Sequence, residues 1–246
     1  MGGISVEICV AGIDGAIAAQ NGGAHRVELN SALALGGITP SAGLVQAVVE
    51  SLEIPVIAML RPRESGFCYS RNEFDVMRRD LDLLLQAGVD GVAFGFLNQD
   101  ATVDVQRCQT IIEQMGDREP VFHRAFDVVP DPMIAIDELK SVGVRRVMTS
   151  GQAATAMEGA NVIQALVESA GTEIEILAAG GVRTHNVVEL IQNTATQHVH
   201  AAMLTEVTDR SMGTNVSFSA ARKDSEQSYA TTDEMRVRDF VQATLR

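Results

Sequence analysis

Residues 5–30 read SVEICVAGIDGAIAAQNGGAHRVELN, and two features of this stretch decide the fold. Its ends, Ser5 to Val10 and Arg26 to Asn30, are short β-rich runs in which apolar and polar side chains alternate. The turn after the first run, Val10-Ala11-Gly12-Ile13-Asp14, lacks the GxGxxG of a dinucleotide-binding open sheet. Comparable runs recur down the chain at Val56 to Leu60, Gly91 to Phe96, Val121 to Arg124, Arg146 to Thr149, Ile174 to Ala178 and Val199 to Met203. Each gap between them carries helical punctuation. Thr39-Pro40 and Asp131-Pro132 read as an N-cap followed by Pro at the first helical position, and Ser70 with Glu73 makes a capping box. Gly88 and Gly143 suit left-handed helix ends. Repeated β/α units in roughly 200 residues without a linker predict an α/β single-domain (β/α)8 TIM barrel over residues 1–204. Residues 205–246 follow as a C-terminal extension of the same domain. Within it Thr205 to Tyr229 is polar and without period, and a helix is expected from about Thr232 to Leu245.

Composition narrows the function classes. With 19 Lys+Arg against 32 Asp+Glu the net charge is −13, so phosphate backbones and anionic lipid are repelled and neither nucleic acid nor membrane is an expected partner. Hydrophobic residues make up 46% and aromatics 4%, which calls for an aliphatic core. The first apolar stretch, Ile4 to Ala11, contains Glu7 and follows no basic region, unlike a secretory signal, and no run approaches the roughly 20 residues a bilayer needs. Cys9, Cys68 and Cys108 are odd in number, widely spaced and without CxxC, which suits a reduced, cytoplasmic setting.

In a barrel, chemistry sits at the C-terminal ends of the strands, and alternation says which side chains face inward. Val6, Ile8 and Val10 suit the helix-facing side of the first strand, leaving Glu7 and Cys9 inward; Val27 and Leu29 do the same in the second, leaving Arg26, Glu28 and Asn30 inward. The third strand ends Leu60-Arg61-Pro62-Arg63, the fifth runs into His123-Arg124-Ala125-Phe126-Asp127, and the eighth carries His198 and His200. Acids, guanidinium groups and imidazoles therefore converge on one rim. A layer of mutually neutralising Glu and Arg would be the structural account of the same residues. His25 and His185 read as solvated, and Cys108 as a small core hydrophobe. The chain has two lysines, Lys140 and Lys223, and neither lies on a strand, which disfavours a Schiff-base aldolase; no GxSxG elbow supports a serine hydrolase. Ser150 in Thr149-Ser150-Gly151 and the Gly180-Gly181 turn, read as opening a helix, offer backbone N–H groups to an anion, which Arg61 and Arg63 would reinforce.

The segments Val6-Glu7-Ile8-Cys9, His25-Arg26-Val27-Glu28-Leu29, Arg61-Pro62-Arg63, Phe67-Cys68-Tyr69-Ser70, Phe122-His123-Arg124-Ala125-Phe126-Asp127 and Thr149-Ser150-Gly151 resemble the copper homeostasis protein CutC family. The resemblance runs from Val6 to about His200. It implies a barrel, a cytoplasmic location, a homodimer or higher homo-oligomer, and a role in copper tolerance. The family's Cu(I) candidates are cysteines at the ends of the first two strands; Cys9 is present, but position 30 is Asn, so weak Cu(I) binding is expected. Glu64-Ser65-Gly66 and Thr214-Asn215 also depart from the family pattern, and Cys68 or Met212 would have to supply more sulfur. Two readings follow. In one the chain holds copper through Cys9. In the other it is an enzyme for a small anionic, even phosphorylated, metabolite: Arg61, Arg63 and Arg124 hold charge with Ser150, Gly180, Gly181 and His200, while Glu7, Glu28, His123 or Asp127 performs acid/base chemistry.

Overall fold

Strands β1 (Ser5–Val10), β2 (Arg26–Leu29), β3 (Val56–Met59), β4 (Gly91–Phe94), β5 (Glu119–Phe122), β6 (Arg146–Thr149), β7 (Glu175–Ala178) and β8 (His198–Ala201) hydrogen-bond to one another in chain order, all parallel, and β8 pairs back with β1 to close a barrel. This is the (β/α)8 architecture, in a computed structural model that describes residues 3–211 and 228–245. The crossover helices are α1 (Ile13–Asn21), α2 (Ala42–Ser51), α3 (Arg71–Ala87), α4 (Val105–Met115), α5 (Pro132–Ser141), α6 (Ala160–Ala170) and α7 (Val187–Thr194). Among the described residues no helix is long and apolar enough to cross a membrane.

Strand alternation divides the core in two. Val6, Ile8, Val10, Val27 and Leu29 join the large aliphatic layer between strands and helices. Inside the barrel, among the described residues, two small apolar patches remain, Ile57–Met59–Ala93–Val121 and Met148–Leu177–Ala179. Polar groups fill the rest. At the N-terminal end Arg146 is held between Glu119 and Glu175 at 2.5 Å each, with His198 3.6 Å from Glu175. That ionic floor neutralises itself with residues other than those read at the rim, and it holds His198 at the end of the barrel opposite the mouth to which the sequence reading assigns it.

Local signals hold where the chain's own chemistry sets them. Ser70 and Glu73 form a full capping box on α3, Asp131 caps α5, and Gly88 closes α3 in the left-handed region. Three boundaries differ from expectation. Thr39 does not cap α2: its hydroxyl bonds the backbone of Arg61, so the cap falls to Ser41, which accepts from Leu44 N. Strand β5 starts two residues early because Pro120, though lacking an N–H, still offers its carbonyl to Arg145, and it stops at Phe122 because His123 caps the following turn. Gly180 and Gly181 do not open a helix; α7 begins at Val187, after a turn in which Asn186 bonds Arg183 N and Gly181 O.

The described parts of the extension carry regular structure. Strands β9 (Leu204–Thr208) and β10 (Ser228–Thr232) form an antiparallel ribbon, correcting the expectation of a segment without period from Thr205 to Tyr229. Two strands whose pairing partners lie so far apart along the chain leave no local signature. Helix α8 (Glu234–Ala243), capped by Asp233, buries Val237, Phe240 and Ala243. It seats against Gly22, where an added Cβ would lie 2.6 Å from Val237. Met212, Thr214, Asn215 and Lys223 lie outside the described residues.

Candidate functional site

Where β1, β2 and β8 meet at the C-terminal mouth, the ladder register assembles a polar cluster. Cys9 is opposite Glu28 across β1–β2, and Glu7 is opposite both Arg26 and His200. Glu7, 1% exposed, accepts from Arg26 Nε at 2.5 Å and holds His200 Nδ1 at 2.7 Å. Burial alone would raise the Glu7 carboxyl, but the Arg26 charge and the His200 bond outweigh it and hold it well below the carboxylate range. His200 is opposed by burial as well, yet the Glu28 and Glu7 carboxylates hold its pKa above the usual imidazole value. Its Nε2 faces Glu28 at 3.8 Å. Asn30 Nδ2 donates to Glu28 Oε2 at 2.8 Å and to Cys9 Sγ at 3.4 Å. Burial, reinforced by Glu28 and Glu7, pushes the Cys9 thiol far up, and burial also raises Glu28. Ligating atoms of Cys9, Glu28 and His200 all fall within 4.8 Å of one another.

These groups form one wall of a cavity of about 410 Å³. The other walls bring Met59, Arg61, Phe67, His123, Arg124 and Met148. His123 is 3% exposed and flanked by Phe67 and Phe122, with ring centroids at 5.1 and 6.2 Å. Its Nδ1 accepts from Ala125 N at 3.1 Å, so the neutral ring carries its proton on Nε2. Burial, and then the nearby Arg61 charge, lowers its pKa to about 3. Gly95 makes the ring's position feasible, since a Cβ there would lie 2.4 Å from His123 Cε1. Arg61 spends its terminal nitrogens on backbone carbonyls, with Nη1 on Leu35 and Gly37 and Nη2 on Ser65, and its guanidinium stands 5.4 Å from the Phe67 ring. It ties two mouth loops together, and its Nε has no hydrogen-bond partner among the described residues.

The remaining residues singled out from the sequence are placed differently. Asp127 accepts from Thr149 Oγ1 (2.6 Å), Ser150 N (2.8 Å) and Arg124 Nε (2.7 Å). Ser150 Oγ donates to Ala153 O and accepts from Arg124 Nη2 at 2.8 Å. This network pins the β5 and β6 loops together and leaves the Asp127 carboxylate no vacant face. Arg124, about half exposed, still reaches the cavity. Gly180 packs beside Ser150 and Arg124, and Gly181 beside Thr155, and neither lines the cavity. Arg63 stands outside, paired with Glu73 at 2.5 Å and stacked on Tyr69 at 5.0 Å. His25 and His185 are exposed and Cys108 is buried. Gly95, Phe67, Met59 and Met148 were not read as site residues from the sequence; inward alternation in β3 and β6 would have flagged the methionines, and Phe67 lies in one of the segments that carry the family resemblance.

A parallel barrel that gathers a thiol, a carboxylate, two imidazoles and arginines round a cavity at its mouth is a (β/α)8 protein, a class in which this face commonly carries the functional site. Within that class the chain belongs to the CutC family, whose model matches residues 4–205. It is 46% identical over 204 residues to a family protein CutC of Treponema denticola, with 83% of each chain covered. It is 37% identical to the human copper homeostasis protein cutC homolog, covering 96% of this chain and 87% of that one. A solved CutC structure from Streptococcus agalactiae superposes with a TM-score of 0.77 at 31% identity, covering 80% of this chain and 97% of that chain.

Proposed function

We propose that the chain handles copper by holding Cu(I) at the mouth through Cys9 Sγ and His200 Nε2, with Glu28 as a third donor. The observation that carries this reading is the convergence of those three ligand atoms within 4.8 Å. Glu7 on His200 Nδ1 fixes the tautomer that leaves Nε2 free, the outer carboxylate that metal-binding histidines commonly use. The relatives' names and the three free cysteines, which suit a reducing cytoplasm, support it.

Affinity is limited in two ways. Cu(I) prefers sulfur, and Asn30 supplies none. The metal must also displace a thiol proton that burial and two carboxylates hold in place. Titration of the reduced protein with Cu(I) against a chromophoric chelator tests the reading. Weak one-to-one binding is expected, removed by Cys9→Ser and strengthened by Asn30→Cys. A tight stoichiometric complex indifferent to Cys9→Ser would sink it.

A further inference from the structure

Two side chains that line the mouth cavity each carry a buried donor with no hydrogen-bond partner among the described residues. The donors are His123 Nε2 and Arg61 Nε, on side chains 3% and 7% exposed. A buried donor left unpaired costs roughly 1–3 kcal/mol, so two on one cavity mark a place where an acceptor belongs. The His123 proton is fixed on Nε2 by the Ala125 N–H at Nδ1, and the ring is packed in place by Phe67, Phe122 and the bare Cα of Gly95. The imidazole is thus a rigid neutral donor with no spare lone pair, unsuited to taking a proton.

We propose that this cavity is a receptor for a small carboxylate or 2-oxo acid, whose oxygen accepts from His123 Nε2–H and Arg61 Nε–H. Three observations set the class. One neutral and one cationic donor match a single carboxylate or carbonyl oxygen, whereas a phosphate dianion has more acceptors than these two can serve. Glu28 on the facing wall disfavours a second negative charge. Met59, Met148, Phe67 and Leu33 give a short carbon chain apolar walls, in a volume suited to a small metabolite. The inference goes beyond copper and does not rest on it, since neither donor is a proposed metal ligand.

The experiment is calorimetric titration of the full chain with pyruvate, 2-oxobutyrate, butyrate and inorganic phosphate, in a Cu(I) chelator so that the copper reading plays no part. At least one of the three carboxylates should bind and phosphate should not. His123→Phe, which keeps the ring and loses the donor, should weaken that binding about tenfold or more, while His123→Gln, whose amide nitrogen can reach the Nε2 position, should stay within about threefold of the parent. A residue needed only for folding would not separate the two variants. If either variant fails to fold, nitrogen-15 spectra of the parent protein decide: Nε2–H should be the protonated site and its proton should shift on adding the bound acid. Phosphate binding without carboxylate binding, no binding by any probe, equal loss in Phe and Gln variants, or an unmoved Nε2 proton would each overturn the proposal.

Discussion

The clearest quantitative consequence of the site concerns His123 and acid. Burial and the Arg61 charge hold the folded-state pKa at about 3, against 6.5 for an imidazole free in water. Between those values the unfolded chain binds a proton that the folded chain refuses, so this residue makes stability rise with pH and fall as the solution is acidified below about 6.5. Each pH unit well inside that window is worth about 1.4 kcal/mol. From pH 7 to pH 5 the loss integrates to about 2 kcal/mol, most of it below pH 6.5. Other buried groups titrate in the same range: burial lowers His198 to about 4, while Glu28 and His200 are raised. Their contributions largely cancel when the parent is compared with His123→Gln, which has no imidazole to protonate. Urea unfolding of both proteins at pH 7, 6 and 5 should show the destabilisation caused by the substitution shrinking by about 2 kcal/mol toward pH 5. Parallel pH curves would refute the argument and mean that His123 gains a proton in the folded state.

Three substitutions test other parts of the framework. Gly95→Ala places a methyl 2.4 Å from His123 Cε1 and should destabilise by about 1–3 kcal/mol, with the His123 ring resonances shifted in the proton spectrum. Arg61→Ala removes three bonds to the carbonyls of Leu35, Gly37 and Ser65, so a loss of several kcal/mol in denaturant titration is expected together with faster proteolysis in residues 33–37; an unchanged unfolding midpoint would show that these loops stand without it. Glu7→Gln leaves Arg26 buried without its counter-charge and should cost about 3–5 kcal/mol by chemical denaturation, far more than removing the half-exposed Arg63 from Glu73.

Much of the site was legible because strand alternation is a local property. Reading Val6, Ile8 and Val10 as helix-facing placed Glu7 and Cys9 inside the barrel, and reading Val27 and Leu29 likewise placed Arg26, Glu28 and Asn30 there; all are buried. What alternation does not carry is stagger between strands. That Glu7 meets His200, 193 residues away, follows from the β1–β8 register, and that meeting turns His200 into a partner of Cys9 and Glu28. The arginines show the opposite failure. Strand-end position correctly put Arg61 at the mouth, but the carbonyls that absorb its charge come from loop backbone, and loop conformation has no periodicity to read.

The sequence by itself determined the eight β/α units, their closure into one domain, the inward set on the first two strands and the shortage of sulfur at position 30, because each depends on spacing or residue type within a few positions. Only the tertiary structure decided which inward groups touch, that Asp127 and Ser150 are bound into a loop network, that Arg63 faces Glu73 outside the cavity, and that His123 stays neutral with its proton on Nε2. Those outcomes depend on burial and on contacts between strands and loops distant in the chain. Desolvation and paired charge act through space, and no local pattern of residues encodes them.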